Sequence, residues 1–181
     1  DQANADLGRV VIAVGLVSLL LLVVFLRALV APLYLLASSV LAVGATLGLT
    51  TFVFQDVLHH DGVVFLVPFA AAVLLVALGS DYNLFSVGYV WELARHRPLR
   101  EAVIIAVPRS TRAISAAGLT LALSFAVLVL VPLSMFQELA FALAVGVLID
   151  AFLVRSLLVP ALITLVGDVS GWPGRLGRSR A

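Results

Sequence analysis

The 181 residues contain neither cysteine nor lysine. The first absence excludes disulfides and thiolate metal sites. The second excludes the phosphate-binding P-loop, whose lysine reaches the nucleotide phosphates, and Schiff-base catalysis. Any uphill movement this segment supports is therefore not powered by ATP hydrolysis within it. Charge is scarce too: 12% of the residues are Asp, Glu, Lys or Arg, against roughly 25% in soluble domains. A net charge of +1 gives no ground for a nucleic-acid partner. Methionine occurs once, at Met135, and the chain opens on Asp1. We expect a segment of a longer polypeptide. Its first apolar run has no basic leader and no small-residue cleavage site, so it is not a signal peptide.

What fills the space is hydrocarbon. Hydrophobic residues make up 63% of the chain, more than a soluble core of this size can hide. About 20 apolar residues cross a bilayer as a helix, and five such runs are legible, at about 9–29, 31–54, 63–91, 112–134 and 138–160. Backbone groups left unpaired in lipid are costly, so each run is a helix or a barrel strand. The runs show no alternation of period two and exceed strand length. The predicted fold is an all-α membrane bundle of five transmembrane helices occupying residues 1–168, with a basic, glycine-rich tail at 169–181 expected to fray.

All eleven basic residues are arginine, and their placement predicts orientation. With the N-terminus outside, Arg27, Arg95, Arg97, Arg100, Arg109, Arg112, Arg155, Arg175, Arg178 and Arg180 lie on or near the inner side, and only Arg9 lies outside. The outer loops then carry Asp56, His59, His60, Asp61 and Glu138. A multi-pass protein of the plasma membrane with a cytoplasmic C-terminus is expected. Within the inner loop, 92–111, Pro98 suits a helix start. Leu99, Ala102, Val103 and Ala106 recur at helical spacing before Pro108. This predicts a short amphipathic helix lying on the cytoplasmic surface.

Three polar features interrupt the apolar runs. Asp81 sits inside the third, where an acid costs on the order of 3 kcal/mol and by default marks an ion or proton pathway. Burial would let it exchange a proton near neutral pH; the alternative is a structural acid paired to a neighbour. Tyr82 and Asn83 follow it and Gly79 and Ser80 precede it, so the three polar residues wrap most of a turn and at least one faces other helices. Asp150 and Arg155 interrupt the fifth run; at i and i+5 they lie about 140° apart on an α-helix, outside the usual pairing distance. Arg155 would then snorkel to the interface, leaving Asp150 with an unnamed partner, as an anchor or as part of the transport path. In the fourth run, Ala113, Ala117, Thr120 and Ser124 form a stripe suited to close helix packing, or to a hydroxyl path for protons. Gly44 and Gly48 form a GxxxG in the second run, read as packing. His59 and His60 lie in a loop without further metal ligands near them in sequence. No metal or organic cofactor is expected.

The run LGSDYNLF (Leu78 to Phe85) resembles the Asp-Tyr motif of the MmpL family within the RND superfamily of transporters. RPLREAV from Arg97, RAISAAGLTLALSFAVL from Arg112, the long run from Glu138 to Asp168 and FLRALVAPLYLLAS from Phe25 look like that family's second half, and together they cover nearly the whole chain. The resemblance implies the last five helices of half an RND transmembrane domain. It assigns Asp81 and Tyr82 to a proton relay completed by an equivalent pair from the first half, with protons as the coupling ion. The implied function is export of lipids or other hydrophobic molecules, with no enzymatic step. The implied partners are the remaining half of the transporter with its porter domains, membrane lipids and the hydrophobic substrate. Ser80, Asn83, Thr120, Ser124, Asp150 and Arg155 are candidate supporting residues. The chain departs from the family where an arginine and a Glu-Glu pair commonly follow the motif, having Tyr89 and then Glu92 followed by Leu93. The family's aromatic-rich C-terminal motif is reduced here to Gly171, Trp172 and Pro173.

Two other functions are open at this level. A sterol-sensing domain is also a five-helix bundle of this type and regulates without pumping. An intramembrane aspartyl protease would use Asp81 and Asp150 as two carboxylates sharing a proton. Against it, Ser80 stands where the protease motif has glycine, and the PAL tripeptide (Pro160 to Leu162) lies on the same helix as Asp150.

Overall fold

The computed structural model describes residues 2–174, with side chains from residue 12 onward and that of Arg9. The described residues form five helical rods and no strand. The first is α1 (Gln2–Leu26). The second is α2 (Val30–Thr51), extended by a π-helical turn over Phe52–Val57. The third is α3 (Leu66–Ala94). The fourth, α4 (Leu99–Ala126), tightens into a 3-10 turn at Val127–Leu130. The last rod comprises α5 (Ser134–Leu148), a π-helix (Ile149–Leu158), α6 (Val159–Val166) and a 3-10 turn (Gly167–Gly171). Four stretches are long and apolar enough to cross a membrane: Val30–Val57, Leu66–Ala94, Leu99–Leu130 and Ser134–Gly171. The apolar part of α1, Ile12–Leu26, is shorter.

The bundle is apolar on its outer surface as well as in its interior. Leu20, Val24, Leu41, Ile104, Leu130, Leu157 and Leu165 point outward, whereas Asn83, Glu138, Asp150 and Arg155 are buried. Lipid is as apolar as leucine, so only packing and polar contacts distinguish the interior. α3 is the central rod and packs on all four others. Two apolar clusters flank it. One, near the arginine-rich end, gathers Leu22, Leu35, Val87, Val90, Val103 and Ile163. The other gathers Val67, Ala71, Leu75, Ala122, Leu143 and Val147. The polar layer lies at the boundary between them. Close approach of α4 to the last rod depends on Gly118, where a Cβ would sit 2.8 Å from that of Ala151.

Three expectations differ from the observed chain path. The amphipathic stretch at 99–107 is not a separate surface helix. It is the first part of α4, and Leu99, Ala102, Val103 and Ala106 are buried against protein. Pro108 does not stop it; the hydroxyl of Ser110 donates to the carbonyls of Ala106 and Val107 beside it (3.1 and 3.2 Å). Membrane helices tolerate proline where neighbouring helices compensate. α4 is further tied to α3 by Arg109 Nη1 donating to Tyr89 Oη at 3.1 Å.

The tail, second, is docked rather than frayed as far as residue 174. Leu29 N–H donates to the Trp172 carbonyl (2.7 Å), Ala28 bridges to Pro173, and Ser170 is buried. The remainder, with Arg175, Arg178 and Arg180, lies outside the described residues. Third, Glu138 is not a loop acid. It is 1% exposed on α5. Its Oε2 accepts the Val64 N–H at 2.7 Å, which ties the segment leading into α3 to α5. Its Oε1 lies 3.9 Å from His60 Nδ1.

Candidate proton-coupling site

The site starts from a backbone irregularity. Over Ile149–Leu158 the hydrogen bonds run i to i+5; Val159 N–H reaches the Val154 carbonyl, and the Ser156 hydroxyl reaches that of Ala151 at 2.8 Å. In this π-helical register, residues five apart stack on one face. Asp150 and Arg155 therefore meet. Arg155 Nε donates to Asp150 Oδ2 at 3.2 Å and Nη2 lies 3.1 Å from Oδ1, a bidentate fork. The α-helical spacing that separated them by about 140° does not apply here. Nor does Arg155 snorkel: at 2% exposure it is the largest fully buried side chain among the described residues.

The guanidinium spends its other donors on α3. Nη2 reaches the Gly79 carbonyl at 2.7 Å, and Nη1 donates to Asn83 Oδ1. Gly79 is small for this reason, since a Cβ there would stand 3.1 Å from Nη2. Of the three polar residues 81–83, Asn83 is the one turned fully inward, at 1% exposure. A cavity of about 10 Å³ adjoins the Asp150 carboxylate, lined also by Ser39 and Thr46 of α2, Leu75 and Gly146. That is about one water in size. Sequence reading did not single out Ser39 and Thr46, because a lone hydroxyl on an apolar helix carries no signal until its face is known.

Asp81 lies between the two residues gripped by Arg155, yet its own side chain is exposed within this chain. It stands at a groove of about 400 Å³ between α1 and α3, walled by Val14, Val17, Ser18 and Leu21 with Ala77 and Ser80. The enclosure expected for it is not supplied by these five helices. Tyr82 is half-buried, within coulombic range of Asp150, Arg155 and Asp81. The Ser80 hydroxyl is used by the Val76 carbonyl at 2.9 Å.

The stripe on α4 also faces away from the bundle. Ala113, Ala117, Thr120 and Ser124 are exposed; the packed face is Ser110, Ile114, Gly118 and Ala122. Thr120 and Ser124 donate to the carbonyls of Ala116 and Thr120, each at 2.9 Å. Gly44 and Gly48 are likewise exposed, with nothing near their missing Cβ atoms. His60 packs on Phe54, ring centroids 5.5 Å apart, beside Glu138. Asp81 and Asp150 do not form an acid pair. Asp150 is held by Arg155, and Asp81 opens on the α1 groove.

A multi-pass helical membrane protein with an ion pair sealed between its helices is the class that this fold and site define. Comparison with known sequences makes it specific: the MMPL family model matches residues 1–181, and the chain belongs to that family. It is 37% identical over 178 residues to the Probable transport protein MmpL12 of Mycobacterium tuberculosis, covering 98% of this chain and 15% of that protein. With the Sulfolipid-1 exporter MmpL8 of the same species it shares 38% over 172 residues, 95% of this chain and 16% of the relative. With the Apo-petrobactin exporter of Bacillus anthracis it shares 38% over 159 residues, 88% and 21%. The chain thus spans between 15% and 21% of the length of these relatives.

Proposed function

We propose that this segment is one half of the membrane domain of a proton-driven exporter of lipids or other hydrophobic molecules. Asp81 and Tyr82 take up and release the proton, and no organic cofactor or catalytic step is involved. The N-terminal end lies outside the plasma membrane and the arginine-rich end in the cytoplasm, as the arginine bias argues. The observation that carries the reading is Asp81: an acid exposed on an apolar rod, between two residues pinned by one buried arginine. In a chain that spans a small part of its relatives' length, the exposed face is where the remaining half would seal the carboxylate from lipid. Thr120 and Ser124 present hydroxyls on another outward face, available to the same partner.

The mechanism follows from the charge. Protonation neutralises Asp81 and changes how α3 is held at that turn. Because Gly79 and Asn83 are bound to Arg155, and Arg155 to Asp150, a shift of α3 is transmitted to the last rod. Asp150 and Arg155 act here as a positioning pair. One proton crossing 100 mV supplies about 2.3 kcal/mol, enough to bias a conformational equilibrium. Relatives named as exporters, one of sulfolipid-1 and one of apo-petrobactin, support the export part of this reading.

The test is pH-dependent export, or proton flux, in the full-length protein with Asp81→Asn and Asp81→Glu. Asparagine should abolish proton-dependent transport and glutamate should retain part of it. Export unchanged by Asp81→Asn would instead point to a sensor of the sterol-sensing kind.

A further inference from the structure

At the arginine-rich end, a second and larger cavity, of about 720 Å³, opens between α1, α3 and the docked segment after α6. Its apolar side is formed by Val24 and Phe25, both exposed on α1, and by buried Trp91 from α3. Its rim is cationic, with Arg27 at the α1–α2 turn and Arg95 at the end of α3. At the floor the Phe25 ring packs directly on Gly88, whose absent Cβ would stand 3.0 Å from it. The far wall is the docked segment, where Gly174 lies so close to the Arg27 carbonyl that a Cβ would sit 2.7 Å from it.

We infer that this cavity is a binding site for an anionic phospholipid, its phosphate held between Arg27 and Arg95 and an acyl chain laid along Phe25, Gly88 and Trp91. Apolar wall and basic rim meet where α1 and α3 leave the hydrocarbon, which is where a lipid presents its phosphate. Basic pockets between membrane helices at this level are suited to acidic headgroups. Charge selects the headgroup. Arg27 and Arg95 outweigh Glu92, the acid at the rim, which lies 3.4 Å from Arg95 on the exposed side. In sequence, Arg175, Arg178 and Arg180 follow Gly174 and carry the same sign of charge as the rim. A zwitterionic headgroup brings an ammonium that the two arginines disfavour. The site is separate from the Asp81 groove and does not depend on a proton relay.

The experiment uses the full-length transporter, with bound lipid read by native mass spectrometry against titrated phosphatidylglycerol, phosphatidylcholine and inorganic phosphate. Phosphatidylglycerol should bind in preference to phosphatidylcholine, and millimolar phosphate should not displace it. Arg27→Gln and Arg95→Gln should each weaken binding about fivefold, the equivalent of roughly 1 kcal/mol per arginine near an acidic headgroup. Arg97→Gln makes the same charge change away from the cavity and should have little effect. Gly88→Ile crowds the floor without changing charge and should abolish retention. Four results would overturn the assignment: equal loss from Arg97→Gln, equal binding of the two lipids, displacement by phosphate, or loss on deleting residues 175–181 with the Arg27 and Arg95 variants unaffected. Proton-dependent export lost in Asp81→Asn with lipid binding retained would separate this site from the coupling proposal.

Discussion

Arg155 Nη2 lies 2.7 Å from the carbonyl oxygen of Gly79, joining the last rod to the turn of α3 that carries Asp81. That contact makes α3 and the last rod one mechanical unit. It also places a buried charge where its neighbours cannot change independently.

Removing one member of the ion pair should therefore be severe. Arg155→Met leaves Asp150 unpaired in the interior, and a loss of about 3–5 kcal/mol is expected. Asp150→Leu combined with Arg155→Met should recover much of that stability and none of the transport. Thermal unfolding of the purified full-length protein, set beside export, checks both; a double variant that pumps would remove the pair from the mechanism.

Gly79→Ala tests the close approach itself. The new methyl would stand 3.1 Å from Nη2. The guanidinium has to shift or α3 must move outward, at a cost of about 1–3 kcal/mol. Transport should fall more than in Ser80→Ala, where the hydroxyl lost serves only the Val76 carbonyl. Equal effects from the two substitutions would argue against a tight seat for Arg155.

Glu138 should matter for the opposite end of the bundle. Glu138→Ala removes the acceptor for Val64 N–H in a buried place, with an expected cost of about 1–3 kcal/mol. Glu138→Gln keeps an acceptor oxygen and should recover part of it. Hydrogen exchange at residues 60–67 is the direct measure: the alanine variant should exchange faster there, leaving the arginine-rich end unchanged.

Gly174→Val should release the docked segment, because its side chain would collide with the Arg27 carbonyl. Faster proteolysis after Val166 in the variant, with the five rods retained by circular dichroism, is the expected result. Unaltered protection would mean that the contacts of Trp172 and Ser170 suffice without Gly174.

Thr120→Val and Ser124→Ala should leave stability within about 0.5 kcal/mol, as for surface positions without special contacts. Their hydroxyls bond only to carbonyls of their own helix. A larger loss in the full-length protein would show that this face packs against the rest of the transporter.

The apolar runs made the membrane bundle legible because hydrocarbon thickness imposes a length on each helix regardless of its neighbours. The same holds for Asp81, Asp150 and Arg155 as places of interest, since charges inside such runs are costly wherever they point. Helix phase was not legible. Thr120 and Ser124 seemed a packing stripe, but the buried face of α4 is the one bearing Gly118 and Ala122. Small residues occur on both faces, and only the neighbouring rod distinguishes them. Pro108 would break an isolated helix, because it lacks the donor; α4, packed against α3 and the last rod, runs through it.

The sequence by itself determined what the bilayer or the family motif dictates: apolar rods, an arginine-biased end, and an Asp-Tyr pair in the third rod. Only the tertiary structure decided which polar groups meet. Asp150 finds Arg155 through a π-helical register that the i, i+5 spacing does not announce, because local backbone register is settled by contacts made across the bundle. For the same reason Arg155 became the buried link between rods, and Asp81 was left facing outward.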